Sequence, residues 1–568
     1  MTIKRISFLI ALVLFSNLHS QNLPSEYWKL STEELSKYTD DNAQLELASR
    51  YLTGSNGDII DIKKAHRILN KPELKNKPAA IFYLYISDRN NQISKADLIN
   101  SFNVLKITAD KGNPCYQYIT AVCYRDGIGI EKDLMHYFYY LSLSSVKNYS
   151  LSLSSLGFEY IKGNLVEKNI SKTVKLFTIS ANQGFSRAQY NLGVLYENGD
   201  GVEKNIAKAI ELYTLSANQS YSPAQYNLAI HYENGDGVEK NIAKAIELYT
   251  LSAKQGFANA QYNLAIHYEN GKGVTKNIIK AIDLYTLSAN QGNSSAQFFL
   301  AQHYYYGDFI EKNINKAVEL YTLSAEQGDT VAQYNVALCY YQGKGVNRDI
   351  EKAIKYFTLS ADKGYPEAQY NLAICYENGT GVSKNISKAI ELYTLSANQG
   401  FAKAQYNLAV CYANGDGVDK NISKAVELYS LSAKQGNSFA QFNLGVCYAK
   451  GNGVEKDILK AVELYTLSAN QGYSLAQYNL GVFYYNGEGI PKNDIRPFKL
   501  FALSADQGYD NAQNNLAVCY EYGYGVEKNI SKAIELYTLA AKQGNEMAIN
   551  NLNRIKTTDQ SDKKNEPK

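Results

Sequence analysis

The chain has 568 residues, 45% of them hydrophobic and 20% charged, which is the make-up of a folded protein and not of a disordered one. Its 58 Lys and Arg nearly balance 55 Asp and Glu, so a net charge of +3 offers no basic field to nucleic acid or anionic lipid. Three counts are skewed: 49 Tyr against 1 Trp, 39 Gly against 9 Pro, and 7 Cys; such bias points to one short pattern copied many times.

Lys4 and Arg5 precede an apolar run over residues 6–15, and smaller, more polar residues follow over 16–20. This reads as a secretory signal peptide at 1–20, because the run falls short of the roughly 20 apolar residues that a membrane span needs. The expected location is secreted or periplasmic, or a secretory lumen in a eukaryotic cell, with no membrane insertion once the signal is cleaved. Residues 21–42 read as a leader and 43–115 as two divergent copies of the pattern that follows.

From Ala188 the string AQYNL recurs at Ala224, Ala260, Ala296 (as AQFFL), Ala332, Ala368, Ala404, Ala440, Ala476 and Ala512, always 36 residues apart. The frame extends back to Tyr116 and forward to Ala548 without insertion or deletion, which predicts twelve units over 116–547, a capping half-unit at 548–556 and a disordered charged tail at 557–568. A period of this length signals a solenoid whose units touch only their neighbours. Positions in a unit are counted here as offsets from its leading residue, so that Ala188 is offset 0.

Ala188, Leu192, Gly193 and Tyr196, at offsets 0, 4, 5 and 8, share one face of a helix, helix A. Gly199 is placed to end it and Gly201 to allow a tight turn. Asn205 is expected to cap the next helix, helix B, whose Ile206, Ala209, Ile210, Tyr213 and Ala217 recur at helical spacing. The small residues lie where helices packed about 8 to 10 Å apart leave no room for larger ones. Stacked at that spacing, the units are expected to make a curved rod over about 100 Å long.

The pattern A-x-x-x-L-G-x-x-Y-x-x-G-x-G-V-x-K-x-x-x-K-A-x-x-x-Y-x-x-(S/A)-A-x-x-G closely resembles the Sel-one-like repeat (SLR), a relative of the tetratricopeptide repeat (TPR). The resemblance implies an all-α fold, an α/α solenoid wound as a right-handed superhelix of antiparallel helix pairs. In the TPR relative, the side of helix A away from the core lines a concave groove that holds peptides, and the resemblance implies the same here.

On that side, offset 2 is Tyr190, Tyr226, Tyr262, Phe298, Tyr334, Tyr370, Tyr406, Phe442 and Tyr478, and offset 6 includes Ile230, Ile266, Ile374 and Val410. Aromatic and aliphatic side chains off the core stripe are costly to leave in water, so they are candidate peptide-binding residues. The competing reading is that they pack between adjacent A helices. Glu197, Glu233, Glu269 and Glu377 at offset 9 give this side an acidic rim, and Asn191, Asn227 and Asn263 at offset 3 suit either a peptide clamp or a bond between helices. Lys208, Lys244, Lys388 and Lys424 on helix B read as a solvated outer face with weak pairing to Glu three residues on.

Cys123, Cys339, Cys375, Cys411, Cys447 and Cys519 all fall at offset 7, where other units have His231, His267 and His303. Equivalent positions one helix spacing apart, roughly 8 to 10 Å, are too distant for a disulfide or a shared zinc ion, so a half-buried site tolerant of several residue types is expected. A secreted, cysteine-rich SLR branch linked with β-lactam binding pairs a late helix-B Cys with another eight residues on, but Ala217 and Gln225 stand at those positions here. Ser144-x-x-Lys147 and Ser360-x-x-Lys363 match a short nucleophile motif without its SDN and KTG companions.

These features predict a secreted, non-enzymatic scaffold binding other proteins or extended peptides in its groove, with no catalytic residues, no metal, no cofactor and no nucleic-acid partner. The rival reading is a hydrolase acting on cell-wall or β-lactam substrates.

Overall fold

The computed structural model describes residue 30 and residues 32–53, 62–87, 93–492 and 495–564; the signal-peptide expectation at 1–20 lies outside them. Every regular element among the described residues is a helix, and consecutive helices pack in pairs to make an α/α solenoid.

The unit beginning at 188 shows how the sequence builds a pair. Helix A is Ser186–Asn198 and helix B is Ile206–Asn218. Gly199 ends helix A at φ 83°, its N–H donating to the Leu195 carbonyl at 2.9 Å, a left-handed conformation in which an L side chain is strained. Gly201 is needed for a second reason: a Cβ there would lie 2.4 Å from Cγ2 of Ile170 in the preceding unit. The Asn205 side chain accepts from the Lys208 N–H at 2.9 Å and starts helix B, as its position predicts. Between the helices, Ala188, Ala209 and Tyr213 are fully buried. Gly193 makes way for Tyr213, since a Cβ there would sit 2.7 Å from the ring.

Polar bonds then tie the pairs together. Gln225 donates to the Ala217 carbonyl at 3.3 Å, and its Oε1 accepts from Gln255 at 2.8 Å. The equivalent bonds join Gln219 to Gln189, Gln291 to Gln261, Gln399 to Gln369 and Gln471 to Gln441. These Gln at offset 1 are buried, and satisfying both ends of each amide removes the penalty of burying it. Helix B is fastened to the start of helix A in its own unit by a serine: Ser216 Oγ donates to the Ser186 carbonyl at 2.7 Å, and Ser396 to the Pro366 carbonyl at 2.8 Å.

The chain forms two compact units. In Met1–Leu300, the divergent region folds as the pairs Asp41–Thr53 with Ile62–Leu69 and Pro78–Ser87 with Lys95–Asp110, and one continuous apolar core runs through residues 35–212. The repeats after it hold smaller cores of their own. In Ala301–Lys568 the cores are again repeat-sized, and the unit closes on the helix Glu546–Lys564. That helix runs past residue 556, so 557–564 are helical where a disordered tail was expected. No Gly or Pro interrupts the chain between Glu546 and Lys564, and Pro567 comes only after it.

Candidate functional site: the helix A face

Each candidate aromatic at offset 2 is half-buried. The Tyr226 ring lies 5.9 Å from Tyr249 of helix B in its own unit and 5.3 Å from Phe257, which precedes the next helix A. Tyr370 repeats this with Tyr393 at 6.0 Å and Phe401 at 5.3 Å, Tyr190 with Tyr213 and Tyr221, Tyr334 with Phe357 and Tyr365, and Tyr478 with Phe501 and Tyr509. Tyr262 packs on Tyr285 and Phe299, Tyr406 on Tyr429 and Phe439, Phe442 on Tyr465 and Tyr473, and Phe298 on Phe299. The centroid separations and tilted geometries are those of favourable aromatic pairs. Apart from Phe298, one side of each ring therefore packs against the next repeat, and each ring keeps part of its surface exposed.

The offset-3 asparagines are part of the same framework. Asn371 Nδ2 donates to the Tyr334 hydroxyl at 3.2 Å, across one repeat boundary. Asn263 and Asn407 donate to the hydroxyls of Tyr249 and Tyr393, both at 3.1 Å. Those helix-B tyrosines in turn donate to the offset-9 carboxylates, Tyr249 to Glu233 at 2.9 Å and Tyr393 to Glu377 at 2.7 Å. Burial pushes the hydroxyls of Tyr226 and Tyr370 above the ordinary phenol value, partly offset by the bonds from Asn263 and Asn407. Burial also acts to raise the Glu233 carboxyl, but bonds from Lys272 and Tyr249 outweigh it and hold the group below its usual range. The acidic rim is thus a set of carboxylates already engaged by buried phenols.

The offset-6 residues Ile230, Ile266, Ile374 and Val410 are half-buried as well, and Ile230, Ile374 and Val410 pack on the repeat cores. Together with the aromatic ladder they form a continuous apolar strip on the A helices within each unit.

Three expectations need correction. The offset-7 cysteines are buried, not half-buried: all seven thiols are free, and burial pushes Cys375 and Cys411 up to about 11 and Cys115 and Cys123 up to about 12. Offset 7 lies beside the helix-B tyrosine of the preceding repeat, His231 against Tyr213 and His267 against Tyr249. The outer lysines do more than pair along their own helix. Lys244 Nζ lies 4.4 Å from the centre of the Tyr232 ring, and Lys208, Lys280, Lys424 and Lys460 sit likewise over the offset-8 tyrosines of their units. Lys388 alone of the four named above keeps the expected pair, with Glu391 at 3.1 Å. Offset 8 is correspondingly half-buried and not fully in the core.

The Ser-x-x-Lys matches are structural. Ser144 and Ser360 donate to the carbonyls of Pro114 and Thr330, as the same serine does in other repeats, and Lys147 and Lys363 donate to the carbonyls of Gly112 and Gly328. No group of three His, Cys, Asp or Glu side chains among the described residues is placed to hold a metal ion. No helix among them is long and apolar enough to cross a membrane. The ladder of buried offset-1 Gln bonded to Gln at offset 31 went unassigned in the sequence, although a polar residue recurring beside the offset-0 alanine in every AQYNL string was its signal.

A family model described as Sel1 repeat matches the chain at residues 41–71, 116–145 and 150–185 and then continuously in ten copies over 186–545. Among solved structures, the chain is similar to a protective antigen present in uropathogenic Escherichia coli strains displaying an SLR fold, with 33% identity, a TM-score of 0.67, and coverage of 74% of this chain and 90% of that one. A Sel1 repeat protein from Oxalobacter formigenes is 29% identical over 58% of this chain and 93% of its own, with a TM-score of 0.42. No curated protein matches significantly.

Proposed function

The chain belongs to the Sel1 repeat family, and from that premise we propose that it is a secreted, non-enzymatic scaffold whose helix A face binds other proteins or extended peptides. The observation that carries this reading is the apolar strip: an aromatic at offset 2 and an aliphatic at offset 6, half-buried and on the same side of helix A in repeat after repeat. A strip of this kind supplies large contact area with hydroxyl tips, the chemistry of interface anchors. The N-terminal pattern of Lys4, Arg5 and the apolar run supports secretion. The hydrolase reading loses its support where the serines and lysines of its motif are bonded to backbone carbonyls.

The offset-2 rings carry the aromatic contacts between repeats, so the test uses the smaller, half-buried side chains at offset 6. A photo-crosslinking residue at Ile230 or Ile374 should attach to partners in the native secreted fraction, and Ile230→Lys with Ile374→Lys should abolish capture while helicity is kept. Lys208→Gln with Lys244→Gln, on the other face, should leave capture intact. Crosslinks arising from Lys208 but not from Ile230 or Ile374 would place the interaction on the helix B side and end this reading.

A further inference from the structure

The repeats at 188, 224 and 260 present nearly the same helix A face every 36 residues, so a bound peptide could shift by one repeat with little change in contacts. Nearer the N-terminus this repetition breaks. Offset 9, Glu in those three repeats, is Arg125 in the unit beginning at 116. Beside it the first helices of the divergent pairs leave a cavity of about 640 Å³, lined by Leu52, Phe82, Tyr85, Ile86, Tyr118 and Val122 among others, with Arg125 and Asp126 in its wall. That volume falls in the range of pockets that enclose small groups, roughly 300 to 1,000 Å³.

The guanidinium lies over the Tyr137 ring, 6.0 Å from its centre, and is bonded along one edge. Nε and Nη2 of Arg125 donate to the two carboxylate oxygens of Asp126 at 2.8 and 2.7 Å, which uses one edge of the fork. Nη1 has no hydrogen-bond partner among the described residues, and the side chain is 41% exposed, within reach of a ligand. A planar guanidinium with a free edge suits a second carboxylate. Glu197, Glu233 and Glu269 further along the same face repel one, whereas the edge of Arg125 that Asp126 leaves open is a donor for it.

Resting on the peptide-binding reading of this face, we infer that the cavity is an anchor pocket that takes one aromatic or branched aliphatic side chain of an extended peptide, with an adjacent peptide carboxylate seated on Arg125. Such an anchor sets the register that the repeats alone leave open. The carboxylate is either a C-terminus or an Asp side chain, and both offer the same two oxygens.

The full chain is titrated, with fluorescence polarisation as readout, against three labelled peptides: Gly-Gly-Gly-Phe with a free C-terminus, the same peptide amidated, and amidated Gly-Asp-Phe-Gly. Saturable binding is expected for the first or third and not for the second, and which of the two binds identifies the carboxylate. Arg125→Gln should weaken it by about tenfold or more, as expected on removing one partner of a charge pair. Ile86→Trp, at an exposed lining position, should block the cavity with unchanged circular dichroism, whereas Ile230→Lys should leave these short peptides bound. Binding by none of the peptides, or equal binding by Arg125→Gln and Ile86→Trp, overturns the anchor. The crosslinking experiment at Ile230 and Ile374 decides the wider face independently.

Discussion

Repeats with His at offset 7 and repeats with Cys there fold the same turn and differ in what fills the space beside it. In the His repeats the ring bridges. His231 and His267 place Nδ1 2.9 and 2.8 Å from the carbonyls of Asp236 and Lys272, and Nε2 3.6 and 3.4 Å from Glu197 and Glu233 of the preceding repeat. In the Cys repeats the turn is retained, with Gly415 and Asp416 donating to the Cys411 carbonyl at 2.8 and 3.0 Å, and the Tyr393 to Glu377 bond is retained too. The short thiol reaches neither carbonyl nor carboxylate, and a cavity of about 440 Å³ lies among Glu377, Tyr393, Cys411 and Asp416. The backbone of the repeat is therefore set by its glycines, caps and helix-B tyrosine, while offset 7 decides whether a side chain bridges to the preceding repeat.

The largest effect should come from the residue both kinds share. Tyr249→Ala in a His repeat and Tyr393→Ala in a Cys repeat each empty a fully buried ring site, for a loss of about 3 to 5 kcal/mol by denaturant titration. A marked difference between the two would break the claim that the framework is common. Next, His267→Ala should cost about 2 kcal/mol, since it removes a buried ring and leaves the Lys272 carbonyl without its side-chain donor. Cys411→Ala should cost about 1 kcal/mol, a small group lost beside an existing cavity. Equal costs would mean that the His bridge contributes nothing.

The thiols sharpen the comparison through pH. Cys375 and Cys411 stay protonated in the fold up to about 11, while in the unfolded chain they ionise near the ordinary thiol value of about 8.5. Over that window the unfolded state holds fewer protons than the native one, so stability is full below it and falls as pH rises through it. Denaturant midpoints should drop between about pH 9 and 11. Replacing Cys375 and Cys411 with Ala should flatten part of that slope. At pH 8 a thiol reagent should modify the native chain slowly and reach all seven cysteines only on unfolding. The smallest effect is expected on the outer face: Lys244→Gln, which removes the ammonium over Tyr232, should cost about 0.5 kcal/mol in either kind of repeat.

Of the candidate site, the residues themselves were legible and their engagements were not. Offsets 2 and 6 do share a half-buried face, because helical spacing alone puts them there. That Tyr334 would meet Asn371, or Tyr249 meet both Asn263 and Glu233, depended on how each helix is rotated against the next repeat. The same holds for the lysines, which turned from their own helix to a tyrosine twelve residues back.

What the sequence determined by itself was the periodic part: the 36-residue stride, the helix limits, the Asn205 cap and the left-handed Gly199. Each depends on bonds spanning only a few residues, so local chemistry suffices to specify it. Only the tertiary structure decided the buried Gln ladder, the inward turn of the offset-7 thiols and the aromatic cavity beside Arg125. These join side chains from different helices, and their meeting is fixed by packing angle and side-chain volume, which no periodicity encodes.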